Sequence, residues 1–90
     1  MLEELLAKLR ADKANKLIPD HLRSGRILDI GCGATPYFLS HTYFREKFAI
    51  DQLENTACPV DIKWHSLDLN NGHTLPFEDD YFQVVTMLAV

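Results

Sequence analysis

The sequence predicts an α/β domain in which an N-terminal helix precedes a mostly parallel, open sheet. Leucines at helical spacing begin the chain, and a branched apolar run at 26–30 then breaks into a glycine turn and the start of a helix. The stretch 81–90 is apolar on both faces, which is typical of a strand in the middle of a parallel sheet. Together these observations predict a doubly wound arrangement of strands and helices.

Length and composition limit the chain to one domain. Its 90 residues should bury only about 60 to 65 % of the surface that the unfolded chain exposes, so we expect marginal stability. Hydrophobic residues make up 47 % and charged residues 24 %, as in soluble globular proteins, and no stretch approaches the roughly 20 apolar residues of a membrane span. We divide the domain into a helical segment, 1–23, and a sheet-forming part, 24–90.

The N-terminus and the cysteines favour a cytoplasmic location. Glu3 and Glu4 stand where a secretory leader would carry basic residues. Cys32 and Cys58 are too few for a disulfide framework, which suits a reducing compartment. We therefore expect a cytoplasmic protein without a membrane partner.

The first 18 residues predict one amphipathic helix or two. Apolar side chains recur at helical spacing until Pro19 ends the pattern. We expect this apolar face to cover the edge or a face of the sheet, and a lid or a dimer surface is the alternative. The residues of the face are Leu2, Leu5, Leu6, Leu9, Ala14, Leu17 and Ile18.

The apolar run 26–30 predicts a short buried strand that ends in a candidate ligand site. Gly31 and Gly33 give the turn after it a conformational freedom that other residues lack. Pro36 fits the first position of a helix, and 36–43 is apolar enough for a short buried one. A strand, a glycine turn and a helix start bring bare backbone to the carboxyl edge of a sheet, where open α/β folds bind small molecules.

Three more strands are predicted after this turn. A strand at 48–50 ends at Asp51, and 52–61 leaves room only for a loop or one helical turn before a strand at 62–67. A turn at 70–72 and an acidic bend at 78–80 lead into the last strand, 81–90. The chain ends within this strand. This predicts either a truncated doubly wound domain or a homo-oligomer that completes the sheet through its exposed edge.

The charge is distributed unevenly along the chain. Residues 1–26 hold six Lys or Arg against four acids, a net charge of +2, whereas 27–90 hold three against nine, a net charge of −6. Nucleic-acid binding is dominated by Lys and Arg that neutralise phosphates. We therefore do not expect nucleic acid to bind through the acidic part.

Four features occur in a specific order along residues 24–90. They are Asp29 with Gly31 and Gly33, then Asp51, then Ser66-Leu67-Asp68-Leu69, and finally Leu75-Pro76-Phe77 before Phe82-Gln83-Val84-Val85. In this order they resemble the class I S-adenosylmethionine-dependent methyltransferases, in particular the small-molecule branch with an Asp-x-Gly-Cys-Gly loop. The resemblance implies a Rossmann-like fold, of which this chain would be the N-terminal, cofactor-binding part.

The chemistry of S-adenosylmethionine suits an acidic glycine loop, because the molecule carries an ammonium, a sulfonium and a ribose diol but no phosphate. Asp29 is placed to order the loop and to hold the ammonium, directly or through water. Asp51 lies 20 residues beyond Gly31, the separation at which an acid at the end of the second strand binds a ribose. A carboxylate can accept two charge-assisted hydrogen bonds from a diol.

The resemblance assigns the remaining cofactor contacts. The loop with Gly31, Cys32 and Gly33 would pack against the methionine portion of S-adenosylmethionine, and Gln52 would lie beside the adenosine. Asp68 would accept from the adenine amino group, with its neighbours on either side flanking the base; these neighbours are Leu67 and Leu69. No metal is implied, and the catalytic residues and the methyl acceptor are not specified by the sequence.

Structural roles compete with these assignments. Asp29 and Asp51 could be helix caps or loop acids, and Asp68 could belong to the turn chemistry of the asparagines that follow it. Thr35 occupies the third position of a loop that often reads Gly-x-Gly-x-Gly, and Gln83 stands where the family usually has Asp.

Two other functions compete with a methyltransferase. An NAD- or FAD-binding domain would need a glycine at position 36 for its Gly-x-Gly-x-x-Gly loop, where this chain has Pro36. A non-catalytic methyltransferase-like module would bind the cofactor, or only a partner chain, without transferring a methyl group.

Overall fold

The described residues fold into a four-stranded parallel sheet preceded by a long helix. The computed structural model describes residues 2–31, 36–52, 59–67 and 77–88. In chain order the elements are α1 (Leu2–Leu17), a 3₁₀ helix (Asp20–Ser24), β1 (Arg26–Ile30), α2 (Tyr37–Ser40), β2 (Glu46–Asp51), β3 (Ile62–Ser66) and β4 (Val84–Thr86). The predicted α/β class, parallel sheet and N-terminal helix are confirmed, and the architecture is compatible with a Rossmann-like fold.

The strand order is β3-β2-β1-β4, and every neighbouring pair is parallel. From β1 the chain moves outward through β2 to β3, and it then returns to the other side of β1 to form β4. The direction of winding therefore reverses between β1 and β4. In open α/β sheets the crevice outside the carboxyl ends of strands at such a reversal is the usual place for a ligand.

The first three strands lie where the sequence predicts them. β1 has the predicted bounds, β2 starts two residues before 48–50 and ends at Asp51 as predicted, and β3 ends one residue before Leu67. The helix predicted over 36–43 is shorter, because α2 ends at Ser40. Lys47 holds the chain that follows α2, since its Nζ donates to the carbonyl oxygens of Leu39, at 2.7 Å, and Thr42, at 3.0 Å.

The prediction of a long central strand over 81–90 is wrong. β4 covers only Val84–Thr86 and lies at the edge of the described sheet. Before it, Asp80 has a φ of 60° and the Tyr81 N–H donates to the carbonyl oxygen of Glu78 at 3.3 Å, which is a turn. Tyr81 and Phe82 then pack on one face of the sheet. Their apolar character reflects this packing and not a position within a strand.

The long helix α1 is confirmed, but only part of its predicted apolar face is buried. Ala11 and Ala14 are its buried residues, and Ile18 packs beside them. Small alanine side chains let the helix backbone lie close to the sheet and α2. The predicted burial is therefore confirmed for Ala14 and Ile18 and is wrong for the leucines of the face, which are exposed; they are Leu2, Leu5, Leu6, Leu9 and Leu17.

Each face of the sheet has its own apolar cluster. The first joins α1 and α2 to the sheet, with Ile27, Leu39 and Ala49 fully buried within it. The second, which we call the aromatic cluster, covers the opposite face. It contains Leu28, Phe48 and Ile50, with Ile30, Leu67, Phe77, Tyr81 and Phe82 packed against them.

Candidate functional site

The reversal point between β1 and β4 holds a buried carboxylate. Asp29 is the fourth residue of β1, pairs with Thr86 of β4 and is only 4 % exposed. The Thr86 hydroxyl donates to its Oδ1 at 2.8 Å. An acidic side chain therefore lies where this topology most favours a ligand.

Burial perturbs the titration of this carboxyl. Loss of solvent raises the pKa of Asp29 from 3.8 to about 6, and the hydrogen bond from Thr86 limits the rise in pKa. Among the described residues no cationic side chain forms an ion pair with Asp29. Within the described ranges the charged carboxylate thus has a hydroxyl as its partner and no counter-ion, and a ligand cation would stabilise this charge.

Gly31 begins the turn after β1 and needs to be a glycine. Its φ is 71°, in the left-handed region that side chains disfavour. Its N–H donates to the carbonyl oxygen of Ile50 at 2.8 Å, so the parallel ladder between β1 and β2 continues into the turn. The start of the glycine turn is thereby held in a defined position beside the end of β2.

Asp51 ends β2 at the same edge of the sheet. Its carbonyl oxygen accepts from the N–H of Leu67 at 2.9 Å, which holds it beside the end of β3. Ile30 pairs with Ile50, so Gly31 and Asp51 follow a matched pair on neighbouring strands. The structure therefore brings together the two positions that the sequence predicts to bind the methionine portion and the ribose of one molecule.

Asp29 and Asp51 also share a face of the sheet. Asp29 pairs with Ala49, and Asp51 is two residues further along the same strand, on the same side. From the strand spacing and the rise per residue, the Cα atoms of the two acids are about 8 Å apart. A ligand of nucleoside size can bridge such a distance, with one polar group on each carboxylate.

The neighbouring predicted contacts lie at the end of β2 and just after β3. Gln52 is exposed, and its carbonyl oxygen accepts from the Ser66 hydroxyl at 3.3 Å. Leu67 is half-buried and packs against the aromatic cluster, on the face opposite to Ala49. The adenosine contacts assigned to Gln52 and Leu67 stay predictions. The other predicted contacts, Cys32, Gly33, Asp68 and Leu69, lie outside the described residues.

Sequence reasoning missed Thr86. The one sign of it in the sequence was a hydroxyl within the apolar stretch 81–90. Its contact with Asp29 depends on β4 lying beside β1, which the strand order reveals.

Gln83, where the resembled family usually has Asp, has a structural role. Its Oε1 accepts from the Arg26 N–H at 2.5 Å, and its own N–H donates to the Arg26 carbonyl oxygen at 3.0 Å. Gln83 thereby fixes the entry of β4 against β1.

The described part of the chain has neither a metal-binding cluster nor a membrane-spanning helix. No group of three or more His, Cys, Asp or Glu side chains there could hold a metal ion. Within the same residues, no helix has the length and apolarity needed to cross a membrane.

Comparison of the chain with protein-family models, with curated proteins and with solved structures found no match.

Proposed function

We propose that this chain binds S-adenosylmethionine at the carboxyl edge of β1 and β2 and is the cofactor-binding portion of a methyltransferase. The observation that carries the proposal is the buried Asp29 carboxylate at the reversal point, which has a hydroxyl partner and no cationic one among the described residues. Desolvated carboxylates gain most from a cation. The ammonium of the cofactor supplies one, and the cofactor carries no phosphate that Asp29 would repel.

Asp51 supports the same ligand at its ribose. In this proposal its carboxylate accepts from the ribose hydroxyls, about 8 Å from the position that holds the ammonium. Gly31, directly after β1 and between the two acids, has a positive φ and no side chain, so its own backbone is free to contact the methionine portion. Bound S-adenosylmethionine would supply a methyl group on a sulfonium, which an acceptor nucleophile displaces in line. The residues described here bind and orient the cofactor.

A dinucleotide fits this edge less well. The phosphates of NAD or FAD would lie at the glycine turn, close to the carboxylate of Asp29. Such a ligand would bring two like charges together in a poorly solvated place. A non-catalytic module would have the same cofactor site, so only a test of methyl transfer distinguishes it from an enzyme.

The first experiment is calorimetric titration of the chain with S-adenosylmethionine and, separately, with NAD. We expect S-adenosylmethionine to bind and NAD not to bind. Asp29→Asn and Asp51→Ala should each weaken binding about tenfold to a hundredfold, because hydrogen bonds to charged groups contribute about 1.5 to 3 kcal/mol. Asp79→Asn, which removes an exposed acid from the bend before β4, is the matched control and should not change the affinity.

Methyl transfer is tested separately with labelled cofactor and a panel of small-molecule acceptors. Transfer to any acceptor supports the enzyme, whereas cofactor binding without transfer favours the module. NAD binding in place of S-adenosylmethionine, or unaltered affinity in both the Asp29 and Asp51 variants, would contradict the proposed site.

A further inference from the structure

Helix α1 has two apolar faces, and the described fold covers only one. Ala11 and Ala14 are buried against the sheet and α2. The other face, which we call the leucine face, consists of four leucines that are 68, 52, 41 and 54 % exposed; they are Leu2, Leu5, Leu6 and Leu9.

The leucine face points away from the rest of the molecule. Leu9 and Ala11 are two residues apart, which corresponds to about 200° around a helix. Because Ala11 faces the core, Leu9 faces the opposite direction, and no other described element covers it. A run of leucines at i, i+3, i+4 and i+7 on an outward face is typical of a helix-pairing surface.

We infer that the leucine face pairs with the same face of a second copy of this chain, as an antiparallel pair of α1 helices. A two-fold axis between residues 5 and 6 places Leu2 against Leu9 of the second copy and Leu5 against Leu6 of the second copy. Each leucine then meets a leucine. The inference is independent of the proposed cofactor site, which lies at the carboxyl edge of the sheet.

The length of the leucine face fits this pairing. Beyond Leu9, the same side of the helix carries Lys13 and Lys16, so the apolar surface ends there. An antiparallel pair centred between residues 5 and 6 overlaps along 2–9 and leaves these lysines outside the leucine contact. A longer overlap would bury ammonium groups against leucines, which is unfavourable.

The charges beside the leucine face favour a second copy over an anionic lipid surface. Residues 2–10 begin with Glu3 and Glu4 and end with Lys8 and Arg10, a net charge of zero. Glu3 and Arg10 are seven residues apart and so flank the same side of the leucine face. The antiparallel pair brings Glu3 beside Arg10 of the second copy, twice. A neutral segment gains nothing from an anionic membrane, whose attraction depends on excess Lys and Arg.

Analytical ultracentrifugation of the 90-residue chain tests this pairing over about 1 µM to 1 mM protein. We expect a monomer–dimer equilibrium. Leu5→Glu should raise its dissociation constant at least about tenfold, because it places a charge among leucines. Leu17→Glu is the matched control, since Leu17 is an exposed leucine of the same helix, 72 % accessible, outside the overlap. The control should change the constant less than about twofold.

A charge exchange tests the antiparallel direction. Glu3→Lys should weaken the dimer at low salt by placing a lysine beside Arg10 of the second copy, and adding Arg10→Glu should restore it. A monomer over the whole concentration range would overturn the inference. So would equal effects of Leu5→Glu and Leu17→Glu, or failure of the second charge exchange to compensate for the first. A dimer that is insensitive to Leu5→Glu would instead favour association through the edge of β4.

Discussion

Replacing Asp29 by asparagine should stabilise the protein at neutral pH while weakening its proposed site. Burial raises the pKa of Asp29 from 3.8 to about 6, and an asparagine of nearly the same shape has no charge to desolvate. The difference of about 2 pKa units corresponds to about 3 kcal/mol of unfolding free energy. A domain of this length has about 5 to 14 kcal/mol in total, so the effect is large.

The direction of the pH dependence follows from proton binding. Because the pKa of Asp29 is higher in the folded chain, the folded state holds its proton more tightly than the unfolded state between about pH 4 and 6. The contribution of Asp29 to stability is therefore greatest below pH 4, decreases as pH rises through 6 and is constant above that. Asparagine removes this dependence. The unfolding free energy of Asp29→Asn relative to that of the wild type should increase by about 2.5 kcal/mol between pH 4 and pH 7.5.

Urea denaturation followed by circular dichroism measures this difference. Wild type and Asp29→Asn are unfolded at intervals of about 0.5 pH unit from about pH 4 to 8. The difference between their unfolding free energies is plotted against pH, so that contributions common to both chains cancel. Asp79→Asn, at an exposed position, is the control and should change the unfolding free energy by no more than about 0.5 kcal/mol. If the difference in unfolding free energy between Asp29→Asn and the wild type stays constant or decreases with pH, burial does not raise the pKa of Asp29.

Three further substitutions test Thr86 and Gly31 at the candidate site and, away from it, the contacts of Arg23 with α1 and with the segment after α2. Thr86→Val should raise the pKa of Asp29 above 6, measured by NMR titration of the carboxyl, and Thr86→Ser should keep it near the wild-type value. The same titration in all three chains would show that the hydroxyl does not lower this pKa. Gly31→Ala should lower the unfolding free energy by about 1 to 2 kcal/mol because its φ is 71°, and Gly31→Asn should lower it less; the reverse order would contradict the backbone argument. Arg23→Lys should lower the unfolding free energy by roughly 1.5 to 3 kcal/mol, since a lysine cannot reproduce the hydrogen bonds of the planar guanidinium to Asn15 and Thr42. An unchanged urea midpoint would show that these bonds do not stabilise the fold.

The first half of the sheet could be predicted from the sequence because its signals are local. Branched apolar residues and a glycine at position 31 define β1, and the φ of Gly31 shows why that position is a glycine. The run before Asp51 defines β2 in the same way. Parallel pairing of two such strands is enough to bring their carboxyl ends together.

Features that depend on long-range packing could not be predicted. The apolar stretch at 81–90 has the composition of a strand, yet Tyr81 and Phe82 pack over the sheet face, and among its described residues 84–86 pair with β1. In α1 the helical spacing predicts burial of Ala14 and of the leucines alike, but the leucines are exposed. Ala11, which lies outside that pattern, is buried because a close approach needs small side chains. The partnership of Asp29 with Thr86 requires the strand order, which local periodicity does not specify.

Proton exchange on S-adenosylmethionine binding shows most directly whether the ammonium of the cofactor lies against the Asp29 carboxylate. Calorimetric titrations at pH 6, in two buffers that differ in ionisation enthalpy, count the protons exchanged on binding. If the ammonium of the cofactor lies against Asp29, whose pKa is about 6 in the free chain, wild type should release about half a proton more than Asp29→Asn on binding at pH 6. At pH 8 this difference between the two chains should be almost zero, because proton uptake by the cofactor's amino group is common to both. Absence of binding, or the same proton balance in both chains at pH 6, would contradict the account.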